Sequence, residues 1–227
     1  MTKKTPKDLV PVFFDNTANS YDKIVHWTTF GKDSFWKQKI LEQLSSENTI
    51  LDLACGTGIL TKQIAQKIPH AKIIGVDITK NYLEKAKEKL ISYQNISFVN
   101  QDAEKFDLGQ TFDCITASYL PKYCTADILV KNCIKHLNVG GKIILHDFTY
   151  PKNVFIRKMW NFYFKLLYLA GSFIPDWKQV FVDLPNLIRT TNWVDDYENI
   201  MKSYGLITSK EELTMCSSTI IVGTKTV

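Results

Sequence analysis

The chain has 227 residues, 45% of them hydrophobic, and a formal net charge of +5 at neutral pH. This length is enough for one globular domain with a sizeable core and too short for two of average size. Because the lysines are spread along the chain, the mild positive charge does not indicate a nucleic-acid-binding surface, and we expect no nucleic-acid partner.

Cysteine usage and hydropathy set further limits. The five cysteines are an odd number and no two have the spacing of a zinc site, so we expect free thiols, no metal and a cytoplasmic location. The longest lipophilic stretch, residues 159–177, is interrupted by Lys165 and Pro175 and is shorter than the roughly 20 apolar residues that span a bilayer. We therefore expect no spanning helix, whereas peripheral contact with a membrane surface stays open.

Residues 1–48 predict a helical cap over the rest of the fold. The lysines at its start, Lys3, Lys4 and Lys7, indicate a solvated leader. Apolar side chains then recur through the segment, and we expect them to pack on the sheet that follows. They are Val12, Phe13, Tyr21, Ile24, Trp27, Phe35, Trp36, Ile40 and Leu41.

Residues 49–149 alternate short apolar runs with amphipathic helical patterns. Five strands are predicted, at Thr49–Cys55, Lys72–Ile78, Ile96–Gln101, Phe112–Ser118 and Lys142–Phe148. Helices are predicted between them, at Thr57–Lys67, Asn81–Tyr93 and Ala126–Leu137. Such alternation implies right-handed crossovers and a mostly parallel sheet with helices on both faces.

The C-terminal part departs from that rhythm. Residues 150–190 are dense in aromatic side chains and predict a helical insertion after the fifth strand. Residues 191–227 predict one helix and two strands, at Val194–Tyr204, Glu212–Cys216 and Thr219–Thr224, with a hairpin around Ser217 and Ser218. The predicted fold class is α/β, a Rossmann-like seven-stranded sheet within a single domain that spans residues 1–227.

A glycine turn between the first strand and the first core helix is the strongest functional motif. It carries Gly56 and Gly58, but Thr61 stands where a dinucleotide-binding fingerprint has its third glycine. Glycine lets the backbone approach a ligand closely, and the helix start offers free N–H groups. Asp52 lies inside the strand end and offers an acceptor for an ammonium group. A pyrophosphate has no ammonium group and would not need this acceptor.

Two further acids follow the next two strands. Asp77 is placed to accept hydrogen bonds from both hydroxyls of a ribose, and Asp102, followed by Ala103, from an adenine amine. Each acid alone is often only a helix N-cap. All three in order at the carboxyl ends of consecutive strands indicate a nucleoside cofactor that carries an amino acid.

These motifs resemble those of class I S-adenosylmethionine-dependent methyltransferases. The matching segments are 51–58, 75–78, 102–104 and 137–142. The flanks resemble one branch, the C-methyltransferases of ubiquinone and menaquinone biosynthesis. The segments that carry this second resemblance are 14–22, 30–31, 36–37, 156–164, 184–185 and 188–189.

The resemblance implies a methyltransferase that binds S-adenosylmethionine and releases S-adenosylhomocysteine. It places the methionine part of the cofactor on the glycine turn, the ribose on Asp77, the adenine on Asp102, and Tyr21 over the methyl group. A core aromatic of the cap is the alternative for Tyr21. The cofactor-binding residues are expected to be Tyr21, Asp52, Ala54, Cys55, Gly56, Thr57, Gly58, Asp77, Ile78, Asp102, Ala103, Ala117, Ser118 and Tyr119.

The sequence departs from the branch on the expected acceptor side. Leu120-Pro121-Lys122 stands where the branch has Leu-Arg-Asn, and residues 215–220 replace its Thr-Gly-Gly-Ile. A ring carbon of a quinol or a related aromatic or isoprenoid acceptor is the expected methyl acceptor. The alternative is a small-molecule O- or N-methyltransferase with a non-quinone acceptor.

Activating a ring carbon calls for a base or a cation near a hydroxyl of the acceptor. The candidates are His146, Asp147 and Arg157, although strand alternation prevents His146 and Asp147 from facing the same way. The aromatic insertion is expected to form a pocket for an isoprenoid tail. An ordinary core and a contact between two copies in a homodimer are the alternatives.

Three other classes are less consistent with the residues. The missing third glycine argues against a nicotinamide dehydrogenase. Residues 118–121 lack the Asn/Asp-Pro-Pro-aromatic run of enzymes that methylate flipped bases. A binding module without activity remains the last alternative.

Overall fold

Seven strands lie in one sheet in the computed structural model, which describes residues 5–171 and 173–226. They are β1 Thr49–Leu53, β2 Lys72–Asp77, β3 Ile96–Asn100, β4 Phe112–Ser118, β5 Leu137–Phe148, β6 Ile207–Leu213 and β7 Ser218–Thr224. The order across the sheet is β3-β2-β1-β4-β5-β7-β6. β1 to β5 are parallel, and β7 runs antiparallel between β5 and β6. The expected mostly parallel sheet is confirmed.

The helices cover both faces of the sheet, as the sequence predicted. Within the described residues they are α1 Leu9–Phe14, α2 Tyr21–Thr28, α3 Lys32–Glu42, α4 Ile59–Lys67, α5 Lys80–Lys89, α6 Ala126–Lys135, α7 Val154–Gly171, α8 Pro175–Thr190 and α9 Trp193–Ser203. α6 and α9 pack on the face that carries Leu51 and Leu53, whereas α3 and α4 pack on the face that carries Ile50. Alternate residues of β1 therefore enter two different cores.

The N-terminal cap and the aromatic insertion pack against each other. Phe13 of α1 and Val25 of α2 share one buried cluster with Trp177 and Phe181 of α8. The Trp177 indole N–H also donates to the Ser20 hydroxyl at 2.9 Å. These contacts put α1, α2, α7 and α8 together beyond the carboxyl end of β4. No helix within the described residues combines the length and apolarity needed to cross a membrane.

Element boundaries differ from the sequence prediction at several places, three of which have a clear cause in the backbone. α4 begins at Ile59 and not at Thr57, because Gly56 and Gly58 have φ of 58° and 82°. β5 begins at Leu137 and not at Lys142, because the strand continues through a register shift opposite β4. Leu137, which the sequence predicted as the last residue of a helix, therefore belongs to the strand.

The C-terminal hairpin is the third difference. β6 begins at Ile207 and not at Glu212, and its turn lies at residues 214–217. As an edge strand it is mostly exposed, so it lacks the apolar alternation that marks a strand in sequence. Thr214, Met215 and Cys216 all have φ between 48° and 62°. None of them is a glycine, so the sequence lacks the residue that is typical of such a turn.

Replacing Gly58 with alanine tests how tightly the glycine turn is packed. The new Cβ would lie 2.9 Å from Leu90 Cδ1 and 3.3 Å from Ala86 Cβ, in a left-handed conformation. We expect a loss of about 2–4 kcal/mol in the free energy of unfolding measured with urea. Gly109→Ala is the matched control, since Gly109 has φ of +64° with nothing within 4 Å. It should lose only about 1 kcal/mol, and equal losses would contradict the packing argument.

Candidate functional site

The turn after β1 bends the backbone sharply where the strand meets α4. Ala54, Gly56 and Gly58 all adopt positive φ, at 52°, 58° and 82°. A non-glycine residue such as Ala54 rarely takes this conformation unless its surroundings hold it there. The Gly56 N–H donates to Asp77 Oδ2 at 2.8 Å and so joins the turn to the end of β2. Residues 54–57 line a cleft, which we call the glycine cleft.

Asp52 lies at the base of the glycine cleft and is 1% exposed. Its carboxylate accepts hydrogen bonds from the hydroxyls of Thr61 at 2.6 Å and Thr116 at 2.9 Å. Burial raises the pKa of Asp52 to about 6, against the opposing effect of the two hydroxyls and of Lys37. Asp52 is therefore a buried acceptor whose charge depends on pH near neutrality.

Lys37 of α3 is a site residue that sequence reasoning missed. It lines the glycine cleft, is 4% exposed, and forms an ion pair with Asp33. Its ammonium nitrogen lies 5.0 Å from the ring centre of Tyr119. Nothing in the sequence near Lys37 indicates a ligand, because α3 reaches the cleft only through the packing of the cap.

Asp77 lines a second cavity, which we call the acidic pocket, at the carboxyl ends of β1 to β4. Its carboxylate accepts N–H groups from Gly56 and Thr79, both at 2.8 Å. Burial raises the pKa of Asp77. A carboxylate has about four acceptor sites, so Asp77 is a candidate acceptor for the hydroxyls of a diol in the pocket.

Asp102 also lines the acidic pocket, together with Ala103 and Ile78. Lys7 reaches back from the chain start and places its ammonium 2.5 Å from Asp102 Oδ2 and 2.6 Å from Glu104 Oε2. Lys7 is therefore not part of a solvated leader, as the sequence suggested. Lys3 and Lys4 lie outside the described residues. A ligand amine at Asp102 has to share the carboxylate with Lys7 or displace it.

The third cavity is lined mainly by aromatic and aliphatic side chains, and we call it the aromatic cavity. α2, α7 and α8 supply half of its lining residues. Its aromatic residues are Phe14, Tyr21, Phe30, Trp36, Tyr119, Tyr123, Phe148, Trp160, Tyr163, Phe164, Trp177 and Phe181. The insertion thus borders a cavity, in addition to packing against the cap.

Tyr21 and Tyr119 line all three cavities and mark the place where they meet. Tyr119 has φ of 66°, held by a hydrogen bond from its N–H to the His146 carbonyl at 2.8 Å and from its hydroxyl to Asp33 at 2.8 Å. Burial raises the pKa of both tyrosines well above 10, so both stay protonated. A ligand spanning the glycine cleft and the acidic pocket would pass beside these two rings.

The donors and acceptors of the joined cavities fit an amino-acid-bearing nucleoside. Asp52 offers an acceptor to an ammonium, Lys37 a cation to a carboxylate, and Asp77 a carboxylate to a ribose diol. Cys55, Thr57 and Ser118 line the same space. Ala117 is wholly buried in the core, because side chains alternate along β4 and its neighbour Ser118 faces the cavities.

The three candidates for a base or a cation, His146, Asp147 and Arg157, do not line the aromatic cavity. His146 is fully buried, with Nδ1 2.9 Å from the Ser118 hydroxyl and Nε2 2.7 Å from the Ser218 hydroxyl. Burial lowers its pKa well below 6.5, so His146 is neutral and positions Ser118. Arg157 donates to the carbonyls of Pro151 and Lys152 at 3.2 and 3.0 Å, which anchors the loop before α7.

Asp147 is also fully buried, and it is bound to a lysine that does line the cavity. Its Oδ1 lies 2.7 Å from Lys122 Nζ, and its Oδ2 accepts the Lys122 backbone N–H at 3.1 Å. As strand alternation predicted, it and His146 have separate surroundings. The departure at residues 120–122 therefore places a lysine in the aromatic cavity.

Comparison with known proteins agrees with this geometry. The sequence model of the ubiE/COQ5 methyltransferase family matches residues 1–225. The chain is 28% identical over 206 residues to the ubiquinone/menaquinone biosynthesis C-methyltransferase UbiE of Saccharophagus degradans, covering 87% of this chain and 83% of that protein. It is 30% identical over 173 residues to the demethylmenaquinone methyltransferase of Lactococcus lactis, covering 71% and 67%.

Solved structures show the same fold at low sequence identity. An S-adenosylmethionine-dependent methyltransferase fold from Methanococcus maripaludis superposes with a TM-score of 0.68 at 18% identity, covering 100% of this chain and 97% of that one. Phosphoethanolamine N-methyltransferase 2 of Haemonchus contortus, solved with S-adenosyl-L-methionine, superposes with a TM-score of 0.67 at 14% identity, covering 99% and 60%.

Asp52 gives ligand binding a specific pH dependence. Its raised pKa means that it loses its charge as pH falls through about 6, and an ammonium is held by the charged form. We expect the affinity for S-adenosylhomocysteine, measured by calorimetry, to fall up to about tenfold per pH unit below pH 6. Asp52→Asn should bind about 10–100-fold more weakly at pH 7.5 and lose this pH dependence.

The exposed carboxylate Asp195 of α9 supplies the control. Asp195→Asn should keep both the affinity and the pH profile of the unaltered protein. An unchanged profile in Asp52→Asn would show that another group titrates in the site.

Proposed function

Because the chain belongs to the ubiE/COQ5 methyltransferase family, we propose that it methylates a ring carbon of a quinol that carries a lipophilic tail. It is an enzyme of the S-adenosylmethionine-dependent methyltransferases, and its cofactor leaves as S-adenosylhomocysteine. The observation that carries the acceptor proposal is the contact between the cofactor side and the aromatic cavity at Tyr21 and Tyr119. An aromatic ring placed there is next to the site of methyl donation.

We assign the cofactor-binding roles as follows. Asp52 and Lys37 hold the amino-acid end, Asp77 holds the ribose, and Asp102 with Ala103 borders the adenine. The remaining contacts come from Tyr21, Ala54, Cys55, Gly56, Thr57, Gly58, Ile78, Ser118 and Tyr119. When bound, S-adenosylmethionine supplies a methyl group already activated on a sulfonium, so the protein mainly orients the acceptor and excludes water.

The shape and chemistry of the aromatic cavity support a ring with an apolar tail. Its walls provide broad aromatic surfaces near Tyr119 and continue along Leu167, Val180 and Leu184 away from the cofactor side. A polar acceptor such as an amino alcohol would leave its polar groups unpaired there. The relatives with ubiquinone/menaquinone or demethylmenaquinone in their names agree with this choice.

Product analysis tests the acceptor proposal. We expect mass spectrometry to find a C-methylated product from a short-chain demethylmenaquinol with S-adenosylmethionine. A panel of simple phenols and amines, assayed in parallel, should react at least about 100-fold more slowly because they do not fill the cavity. Preferential O- or N-methylation of the panel would instead favour the non-quinone alternative.

The outer face of α7 supports contact with a membrane surface. Phe155, Met159, Phe162, Leu166 and Leu169 recur at helical spacing, and each is 47–71% exposed. α7 has basic side chains but no acidic one, which suits an anionic lipid surface.

This face continues to the mouth of the aromatic cavity. Exposed Phe30 and the α7 residue Tyr163 both line the cavity, with ring centres 5.4 Å apart. A lipophilic acceptor dissolved in the bilayer would therefore meet the cavity at the docked face.

Vesicle co-sedimentation tests this docking. Phe155→Ser/Phe162→Ser should bind vesicles containing phosphatidylglycerol at least about tenfold more weakly, since the variant loses two exposed phenyl groups that insert into the bilayer on docking. Ile91→Ser/Val139→Ser is the control, because both residues are exposed apolar side chains outside α7. Equal vesicle binding by both variants would contradict docking through α7, and a dimer in sedimentation velocity that only the α7 variant loses would assign this face to self-association.

A further inference from the structure

Lys122 is a buried charge in the wall of an otherwise largely apolar cavity. It lies in the short turn Pro121–Tyr123 directly after β4, and its side chain is 1% exposed. The aromatic cavity is lined by one other charged residue, Lys32, which is exposed at the surface. Burying a charge is unfavourable unless it is paired, and a lysine placed here for packing alone would be better replaced by an apolar residue.

The Lys122 ammonium has two oxygen partners among the described residues. The nitrogen lies 2.7 Å from Asp147 Oδ1 and 2.9 Å from the Tyr119 carbonyl. Aromatic rings surround it, with centres 4.4 Å away for Tyr123 and 5.6 Å for Phe148. Among the described residues, two of its three N–H groups thus have oxygen acceptors, and the cavity lies within reach of the third.

The position of Lys122 relative to the cofactor side suits ring methylation. Its neighbours Tyr119 and Tyr123 line both the acidic pocket and the aromatic cavity. An acceptor oxygen held by Lys122 therefore lies in the part of the aromatic cavity next to the site of methyl donation. The ring carbon beside that oxygen is the one that gains nucleophilic character when the hydroxyl loses its proton.

We infer that Lys122 is a catalytic residue that binds a hydroxyl oxygen of the acceptor ring. It gives its own ammonium proton to Asp147 and accepts the proton of that hydroxyl. The inference rests on the proposed function, because it assumes a hydroxylated ring in the aromatic cavity. Burial lowers the pKa of Lys122 and raises the pKa of Asp147, which makes a proton exchange within the pair easier than in water.

The proton transfers balance over one turnover. Lys122 gives a proton to Asp147 and takes the hydroxyl proton of the acceptor, which leaves a phenolate beside the ammonium. The phenolate ring forms the new carbon–carbon bond, and the electron pair of the broken methyl–sulfur bond stays on sulfur. The ring proton then leaves to water, and the product hydroxyl regains its proton from Asp147 through Lys122. One proton is released for each methyl group transferred.

A chromogenic ligand tests the inference without requiring turnover. We would bind a nitronaphthol, whose phenolate absorbs visible light, to the full chain saturated with S-adenosylhomocysteine. The unaltered protein should lower the apparent pKa of the probe by about 1–3 units. Lys122→Met/Asp147→Asn, which leaves no unpaired buried charge, should abolish this lowering. Lys178→Met is the matched control, since Lys178 is an exposed residue of α8, and it should behave as the unaltered protein.

Single-turnover methylation of a demethylmenaquinol supplies the second readout. The paired variant should slow the methyl-transfer step about 10²–10⁴-fold while keeping its S-adenosylhomocysteine affinity. Lys122→Arg keeps the charge but cannot release a proton. The methyl-transfer rate of this variant should therefore be lower than that of the unaltered protein, and it should increase more steeply with rising pH. This variant keeps the test decisive if the paired variant does not fold.

Two results would overturn the role of Lys122. One is a paired variant that lowers the pKa of the probe as the unaltered protein does, and the other is a Lys122→Arg variant with an unchanged rate and pH profile. Failure of the unaltered protein to methylate any quinol would contradict the proposed acceptor alone, because the pKa shift of the probe requires no quinol.

Discussion

The hydrogen bond from the Gly56 N–H to the Asp77 carboxylate fixes the geometry on which the rest of the site depends. It closes the left-handed turn after β1 against the end of β2 and gives the buried Asp77 one of its compensating partners. The next residue, Thr57, donates to Asp22 of α2 at 2.5 Å, so the same turn also anchors the N-terminal cap. A turn with ordinary φ angles would move the backbone that lines the glycine cleft and the cap together.

The N-terminal cap covers the carboxyl ends of the strands and encloses the connected cavities there. Tyr82 of α5 shares a hydrogen bond with Thr17, 2.7 Å away, and its ring lies 5.1 Å from that of Tyr21. Tyr21 is therefore held between the core and α8, where Trp177 stacks on it at 6.1 Å. The cofactor side and the aromatic cavity share a wall because elements from both ends of the chain meet at this tyrosine.

The charge of each buried side chain around the cavities depends on its hydrogen-bond and ion-pair partners. His146 is neutral because it is buried between two hydroxyls, and it acts on the site through Ser118. Lys122 and Asp147 are buried as a pair, which keeps a lysine beside the acceptor space. Two adjacent residues of β5 thus have different tasks, one in positioning Ser118 and one in supporting the lysine.

The sequence by itself determined the mostly parallel sheet, the places of its first five strands along the chain, the glycine turn and the three acids, because these depend on local periodicity and on turn chemistry. Asp52 and Asp77 lie in the carboxyl ends of β1 and β2, and Asp102 comes just after β3, so their meeting at one end of the sheet follows from parallel pairing. The tertiary structure alone decided that Lys37 and Lys122 line the cavities and that Lys7 pairs with Asp102. These lysines come from the cap, from a turn after β4 and from the chain start, and their positions depend on packing between distant segments, which leaves no periodic signal in the sequence.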